Sequence, residues 1–232
     1  MGLQQSQQTQ PVISHQVKHG DELWSTVPVR ADKVLPHLFI GNYSSGCNKQ
    51  FLRQNHVTYV LNMTPEAHTD RLRGIEYLNL GLQDFSTSDI SVHFETAHQF
   101  LTKAREEGAV ALVHCHMGIS RAPTVAMSHI LLSGKIYNSE EEHRLNAATF
   151  KKSNGQIRAT TTTVPKTEQV LLKEVWPFVK ERRRIAAPND GFFTHLQSLE
   201  MQLTGASSSS TSLEELKKSV YSTNLPAVAS LF

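Results

Sequence analysis

Residues 109–115 read Ala-Val-Ala-Leu-Val-His-Cys, an apolar run bounded upstream by Gly108. The run is too short for a helix, so it predicts a strand in the middle of a sheet. A central strand needs paired neighbours and covering layers, and the chain supplies both. "KVLPHLFIGN" at 33–42 is an apolar run closed by Gly41-Asn42. A short helix to about Asn55 is followed by Val57–Asn62, rich in β-branched and aromatic residues, which predicts a buried strand. "IEYLNLGL" at 75–82 predicts another strand. Ile90, Phe94, Ala97 and Leu101 then share one helical face, with Gly108 as the stop. "APTVAMSHILLSG" is helical with Pro123 in its first turn, where proline is tolerated. Residues 175–203 predict two closing helices broken at "APNDG". Strands alternating with helices define an α/β layer fold.

Composition narrows the function. A length of 232 residues holds one domain with a substantial core plus tails. A net charge of +2 argues against a large nucleic-acid surface, so no nucleic-acid partner is expected. No apolar run approaches the roughly 20 residues of a membrane helix, and the polar N-terminus gives no expectation of a secretory signal. Two cysteines build no disulfide framework, so a reducing compartment is expected: a cytoplasmic or nuclear protein, or one peripheral at membranes.

One of those cysteines, Cys115, ends the central strand, and "HMGISR" leads from it into a helix. Strand, tight turn and helix together build a site. The turn from His116 to Arg121 is expected to aim backbone N–H groups inward, and the helix behind it presents its positive end. That place suits a phosphate. It equally suits a thiolate, which helix N-termini and neighbouring cations favour. Gly118 gives the loop backbone angles other residues resist. Arg121 supplies a planar fork for two phosphoryl oxygens. His116, Met117, Gly118, Ile119, Ser120 and Arg121 are therefore the expected phosphate-binding residues, with Cys115 as the nucleophile attacking phosphorus. Ser120 is expected to donate a hydrogen bond to the Cys115 sulfur as it leaves, and His114 to support the loop.

The bland alternatives are an inert cysteine at a strand end and a zinc site on His114, Cys115 and His116. Tetrahedral zinc needs further ligands at suitable spacing, and the sequence has neither CxxC nor HExxH, so no metal is expected. "LLSGKI" lacks the pattern of a nucleotide-binding loop, and no cofactor is expected. A departing alcohol oxygen needs a proton, which a carboxylic acid can supply. Asp84 lies two residues past the 75–82 strand, on the edge where open α/β sheets gather ligands. Asp89 sits just before a helix and reads as its N-cap. Asp70 has no strand end to position it. Asp84 is the expected general acid.

Residues 114–121 fit His-Cys-x-x-Gly-x-Ser-Arg, which resembles the signature of the protein tyrosine phosphatase superfamily. The stretches "VLPHLFIGN", "VTYVLNMT", "YLNLGLQD", "ALVHCHMGISRAPT" and "VKERRRIAAPNDGFF" follow the order seen in small, atypical dual-specificity phosphatases. The resemblance implies nucleophile, phosphate-binding and acid roles for Cys115, Arg121 and Asp84. It also implies a central mixed sheet of about five strands flanked by helices, no metal, and phosphoprotein substrates. Tyrosine-specific relatives carry a Trp-Pro-Asp acid loop. Here the acid stands in "LQDF", and "WPF" at 176–178 lacks the Asp and follows the nucleophile. A shallower pocket is implied, open to phosphoserine and phosphothreonine as well as phosphotyrosine. Phosphoinositide phosphatases of the superfamily often place lysines in the loop, where this chain has His116, Met117 and Ile119. Ala122 replaces the commoner Ser after the arginine. Two alternative functions stand beside a protein phosphatase: an inactive phosphoprotein-binding module, and a phosphoinositide phosphatase on the same scaffold.

The expected domain plan is a disordered arm over 1–30, a catalytic domain over 31–203 and a flexible Ser-rich tail over 204–232. The tail carries a short helix that opens on a capping box of Ser212 with Glu215. Residues 143–174 have no counterpart in the resemblance and read as an exposed insertion. Pro177 conflicts with a following helix unless it opens that helix. "MGLQQS" fits Met-Gly-x-x-x-Ser, making Gly2 a candidate for N-myristoylation. One acyl chain binds membranes only marginally, so weak, reversible membrane association is the expectation. "KERRR" at 180–184 reads as a solvated helix face, and Cys47 as a small packed residue. The oligomeric state is not legible.

Overall fold

A computed structural model describes residues 27–68, 70–136 and 169–205, and residue 215. Gly2 and the arm to residue 26 lie outside the described residues. So do residues 137–142, residues 143–168 of the expected insertion and, apart from Thr204, Gly205 and Glu215, the expected tail with its capping box.

Five strands form one sheet: β1 (Ala31–Leu35), β2 (Leu38–Gly41), β3 (Val57–Asn62), β4 (Glu76–Asn79) and β5 (Val110–His114), in the order β1-β2-β5-β3-β4. The β1–β2 pair is antiparallel and the others are parallel, so the sheet is mixed. Residues 109–115 thus supply the middle strand, as their continuous apolar character predicts. The run 33–42 divides into two strands at Pro36-His37, because proline withholds a ladder donor.

Side chains alternate across the sheet. Ile40, Leu61, Ala111 and Val113 face a large core, and Phe39, Val60 and Leu112 face a small one. A short helix, α1 (Tyr43–Cys47), leads into α2 (Lys49–Gln54), which closes the small core with Leu52 buried in it. The large core is covered by α3 (Phe94–Glu106), α4 (Arg121–Ser133), α5 (Leu172–Arg182) and α6 (Asp190–Thr204). Helix α4 packs against the other three and is buried at every position from Arg121 to Leu131. Its apolar, small-residue sequence fits a helix enclosed on all sides.

Asp89 accepts hydrogen bonds from the Ser91 N–H at 3.0 Å and its hydroxyl at 2.5 Å, opening the 3₁₀ turn (Ser91–His93) that leads into α3. The first closing helix starts at Leu172, upstream of the expected 175. The Leu172 N–H donates to Glu200 of α6 at 2.7 Å, and the Leu172 side chain is fully buried. Pro177 does not open that helix; it lies inside it. The strand expected over 75–82 ends at Asn79. The chain stays extended beyond it, with the Leu80 N–H donating to Asn62 O at 2.8 Å.

Strand register sets where a site can form. Gly41, His114, Asn62 and Asn79 are in one row across β2, β5, β3 and β4. Four strands therefore deliver their following loops to one carboxyl edge: residues 42–43, 115–120, 63–66 and 80–85.

Candidate active site

Cys115 is buried at the tip of β5. Its Sγ accepts the Gly118 N–H at 3.2 Å. The loop from Cys115 to Ser120 curls around that sulfur because the carbonyls from His116 to Ser120, and that of His114 before it, are held from outside. His114 O accepts from Met63 N at 2.9 Å, and His116 O from Tyr43 N at 3.0 Å. Ile119 O accepts from Ala187 N at 2.7 Å, and Ser120 O from Thr124 N at 3.1 Å inside α4. Arg183 takes the remaining two, with Nε on Gly118 O at 2.6 Å and Nη2 on Met117 O at 3.3 Å. With the carbonyls turned outward, the N–H groups line the inside of the bowl, at the N-terminus of α4. Such an arrangement can hold an anion.

Gly118 sits at φ 67°, and a Cβ there would lie 2.3 Å from Arg183 Nη2 and 2.5 Å from Gly41 O. Both the backbone angle and the packing require glycine.

Arg121, nearly buried, fans its guanidinium across the bowl. Nη1 donates to Leu82 O at 2.7 Å and Met63 O at 3.3 Å. Nη2 faces His116 Nδ1 at 3.3 Å, and Nε donates to Asp84 Oδ2 at 3.2 Å. Asp84 also accepts from the Ser120 hydroxyl at 2.7 Å and from Asn189 Nδ2 at 3.0 Å, both at Oδ1. Of the three acids weighed from sequence, Asp84 alone lies at the loop. Asp70 pairs with Lys49 at 2.5 Å, and Asp89 starts its helix. Ser120 departs from expectation: its hydroxyl donates to Asp84, not to the Cys115 sulfur. It also accepts from the Asn189 N–H at 3.2 Å.

His114 is fully buried behind the sulfur, with Nε2 2.7 Å from His68 Nε2. Burial, reinforced by His68, pushes its imidazole well below the ordinary histidine range, so it is neutral. His68 Nδ1 in turn contacts Cys47 Sγ at 3.5 Å, so Cys47 packs beside an imidazole. Met117 and Phe85 stand exposed at the rim. Among the described residues, no group of three or more His, Cys, Asp or Glu is placed to hold a metal ion.

Several residues were missed from sequence. "KERRR" is not a uniformly solvated face. Lys180 is buried and donates from Nζ to Ala186 O at 2.7 Å, and burial pulls its ammonium below the ordinary lysine range. Arg183 is fully buried and pairs with Asp32 of β1 at 2.7 Å. A signal for it was present. Val175, Val179 and Arg183 fall at i, i+4 and i+8, which puts the arginine, the residue that closes α5, in line with the apolar stripe of that helix. Asn189, assigned only to a helix break, caps α6 through the Phe192 N–H at 3.0 Å while its amide holds Asp84.

The chain is similar to known proteins in sequence and in fold. The family model described as "Dual specificity phosphatase, catalytic domain" matches residues 38–157. Dual specificity protein phosphatase 5 of Rattus norvegicus is 31% identical over 174 residues, 74% of this chain and 36% of that protein. Protein phosphatase Slingshot homolog 3 of Homo sapiens is 28% identical over 177 residues, 76% of this chain and 22% of that protein. The chain thus spans about a third or less of the length of these curated relatives. Among solved structures, human DUSP28 superposes with a TM-score of 0.57 at 22% identity, covering 76% of this chain and 97% of that one. The human tyrosine phosphatase-like serine/threonine/tyrosine-interacting protein superposes with a TM-score of 0.54 at 22% identity, covering 74% and 96%. The catalytic-domain match spans more than half the chain and includes the whole sulfur-centred loop, and by it the chain belongs to the dual specificity phosphatase family.

Proposed function

We propose that this chain is a cysteine-dependent protein phosphatase that hydrolyses phosphotyrosine and phosphoserine or phosphothreonine. The observation that carries the reading is the bowl itself: a sulfur at its floor, outward-held carbonyls, and Arg121 and Asp84 converging on one opening.

The chemistry runs in two displacements. Loop N–H groups and Arg121 take the phosphoryl oxygens, and Cys115 Sγ attacks phosphorus in line. Asp84, which takes a proton from solvent once it has left Arg121, delivers that proton to the leaving oxygen as its bond to phosphorus breaks. Asp84, now a carboxylate, takes a proton from water. That water attacks phosphorus, the S–P bond breaks, and the thiolate leaves with inorganic phosphate released. To reach this state the substrate must displace Asp84 from Arg121 Nε. Ser120 and Asn189 keep the carboxylate at the rim when it lets go.

That same ion pair favours a second reading. An arginine already engaged by a carboxylate suits a binding module that captures phosphoproteins without turning them over. A relative in fold bears the name of an interacting protein. A panel assay separates the readings. Purified chain is given phosphotyrosine and phosphothreonine peptides and phosphoinositides, with vanadate as inhibitor and EDTA as control. Turnover of both peptide classes, blocked by vanadate, unaffected by EDTA and abolished in Cys115→Ser, supports the phosphatase. Binding without turnover supports the module, and preference for the lipid supports the phosphoinositide alternative.

We further place the chain in a reducing compartment, cytoplasmic or nuclear, on the strength of its free Cys47 and Cys115. The Gly2 pattern adds weak membrane association through a myristoyl group, which intact mass measurement of the protein from cells would detect as an added acyl chain.

A further inference from the structure

Glu66 reaches the site from the loop after β3, and its placement is fixed. Asn62 Nδ2 donates to Glu66 O at 2.6 Å, and the Thr64 hydroxyl donates to the same oxygen at 3.0 Å. From there a Glu66 carboxylate oxygen lies 2.7 Å from His116 Nε2, while His116 Nδ1 lies 3.3 Å from Arg121 Nη2. Guanidinium nitrogens only donate, so Nδ1 accepts from Arg121, and the imidazole hydrogen sits on Nε2, donated to Glu66. Partial burial works against the Glu66 charge. Its own backbone N–H and His116 outweigh that and hold the carboxyl below the ordinary range, so Glu66 is an anion.

An arriving phosphoryl dianion claims Arg121 Nη2. His116 Nδ1 then loses its donor and faces anionic oxygen with a lone pair, which is repulsive. A proton taken from solvent at Nδ1 reverses this: His116 donates to a phosphoryl oxygen from Nδ1 and to Glu66 from Nε2, as an ion held between two anions. We propose that the His116 side chain, backed by Glu66, is a phosphate-binding group that gains a proton when the oxyanion binds. This rests on the phosphate-cradle reading above. It adds a role for Glu66, and it changes the part of His116 from backbone donor to side-chain ligand. Near His116 stand also Arg121 itself, Asp84 across the guanidinium, the Tyr43 ring at 6.1 Å, and behind it Cys115 and the neutral His114.

The test uses full-length Cys115→Ser, so that ionisation of the sulfur does not contribute, and tungstate, which stays a dianion between pH 6 and 8. Calorimetry in two buffers of different ionisation enthalpy reads protons exchanged per anion bound. Net proton uptake is expected, with affinity falling from pH 6 to pH 8. In Cys115→Ser/His116→Gln the uptake should fall by the His116 share, leaving only the proton that Asp84 takes on leaving Arg121, and affinity at pH 6 should drop about tenfold, the worth of one charge-assisted hydrogen bond. In Cys115→Ser/Glu66→Gln, which leaves the imidazole in place, uptake should fall clearly. Tungstate binding with unchanged uptake in either variant overturns this proposal alone. No tungstate binding in Cys115→Ser itself overturns the cradle reading, and this proposal with it.

Discussion

Arg183 donates from Nε to the carbonyl oxygen of Gly118 at 2.6 Å, joining residues 65 apart in the chain. The same fork reaches Met117 O and Asp32, so one buried guanidinium ties α5 and β1 to the anion loop. Burial works against its charge, and Asp32 opposes that effect. Arg183→Met leaves two loop carbonyls without their donor, at a cost of about 2–4 kcal/mol of stability, and lets the loop N–H groups turn. Urea unfolding should show that loss, and aryl phosphate turnover should fall more than a hundredfold. Arg183→Lys restores the Asp32 pair but not the fork, so it should recover stability better than turnover. Full turnover in Arg183→Met would show that the loop holds its shape without the clamp.

Asp84 is held by Ser120, Arg121 and Asn189, and the loop that carries it presses on α6. A Cβ on Gly191 would lie 1.8 Å from Ser86 O. Asp84→Ala should slow phosphopeptides with poor leaving groups by about 10²–10⁴-fold and activated aryl phosphates far less. Gly191→Ala displaces the acid loop without touching the bowl, so it should show the same selectivity in weaker form. Equal losses on both substrate types would remove Asp84 from the acid role.

What the chain reveals before folding divides along a physical line. Val57–Asn62, 109–115 and the helix from Arg121 are legible because each is a contiguous run whose burial is written in its own residues. Cys115, Gly118 and Arg121 are legible because a turn between strand and helix needs few neighbours to define it. Asp84 follows from a strand end. Arg183, Asn189, Glu66 and His68 reach the same edge from elements distant in sequence, and their polar character reads as surface until the register row Gly41–His114–Asn62–Asn79 is known. Ser120 shows a further limit: a hydroxyl within reach of several acceptors takes its partner from tertiary packing, here Asp84.

Two fully buried histidines make stability depend on pH. His129, on α4, lies with its Nδ1 3.1 Å from His98 Nδ1 and its ring edge-on to His37 at 5.9 Å. Burial first, then His98, His37 and Arg105, hold it well below the ordinary histidine value, and His114 behaves likewise. The unfolded chain gains protons at these residues as pH falls through about 6.5, and the native state does not. Their stabilising contribution is therefore complete above that pH and lost below it, towards the depressed native values. Between pH 6.5 and 5.5 each should cost about 1 kcal/mol. Urea midpoints at pH 7.5 and 5.5 should differ accordingly, and His129→Leu should flatten the difference. An unchanged pH slope in His129→Leu would mean that His129 is protonated in the native state.

Pro177 lies inside α5 between buried Trp176 and half-buried Phe178. Proline there gives no N–H to the carbonyl of Lys173 and crowds it, a defect that costs about 3 kcal/mol in a helix interior. Two effects soften it here. Lys173 is exposed, so water can take that carbonyl, and proline restricts the unfolded chain by up to about 1 kcal/mol. The helix forms regardless because Leu172, Val175, Trp176 and Val179 are all buried, and Trp176 packs edge-on against Phe193 of α6 at 5.1 Å. Pro177→Ala should therefore stabilise the domain by about 1–2 kcal/mol in urea unfolding, with turnover unchanged. A loss of stability instead would show that the proline's departure from helical geometry is what seats Trp176 against Phe193.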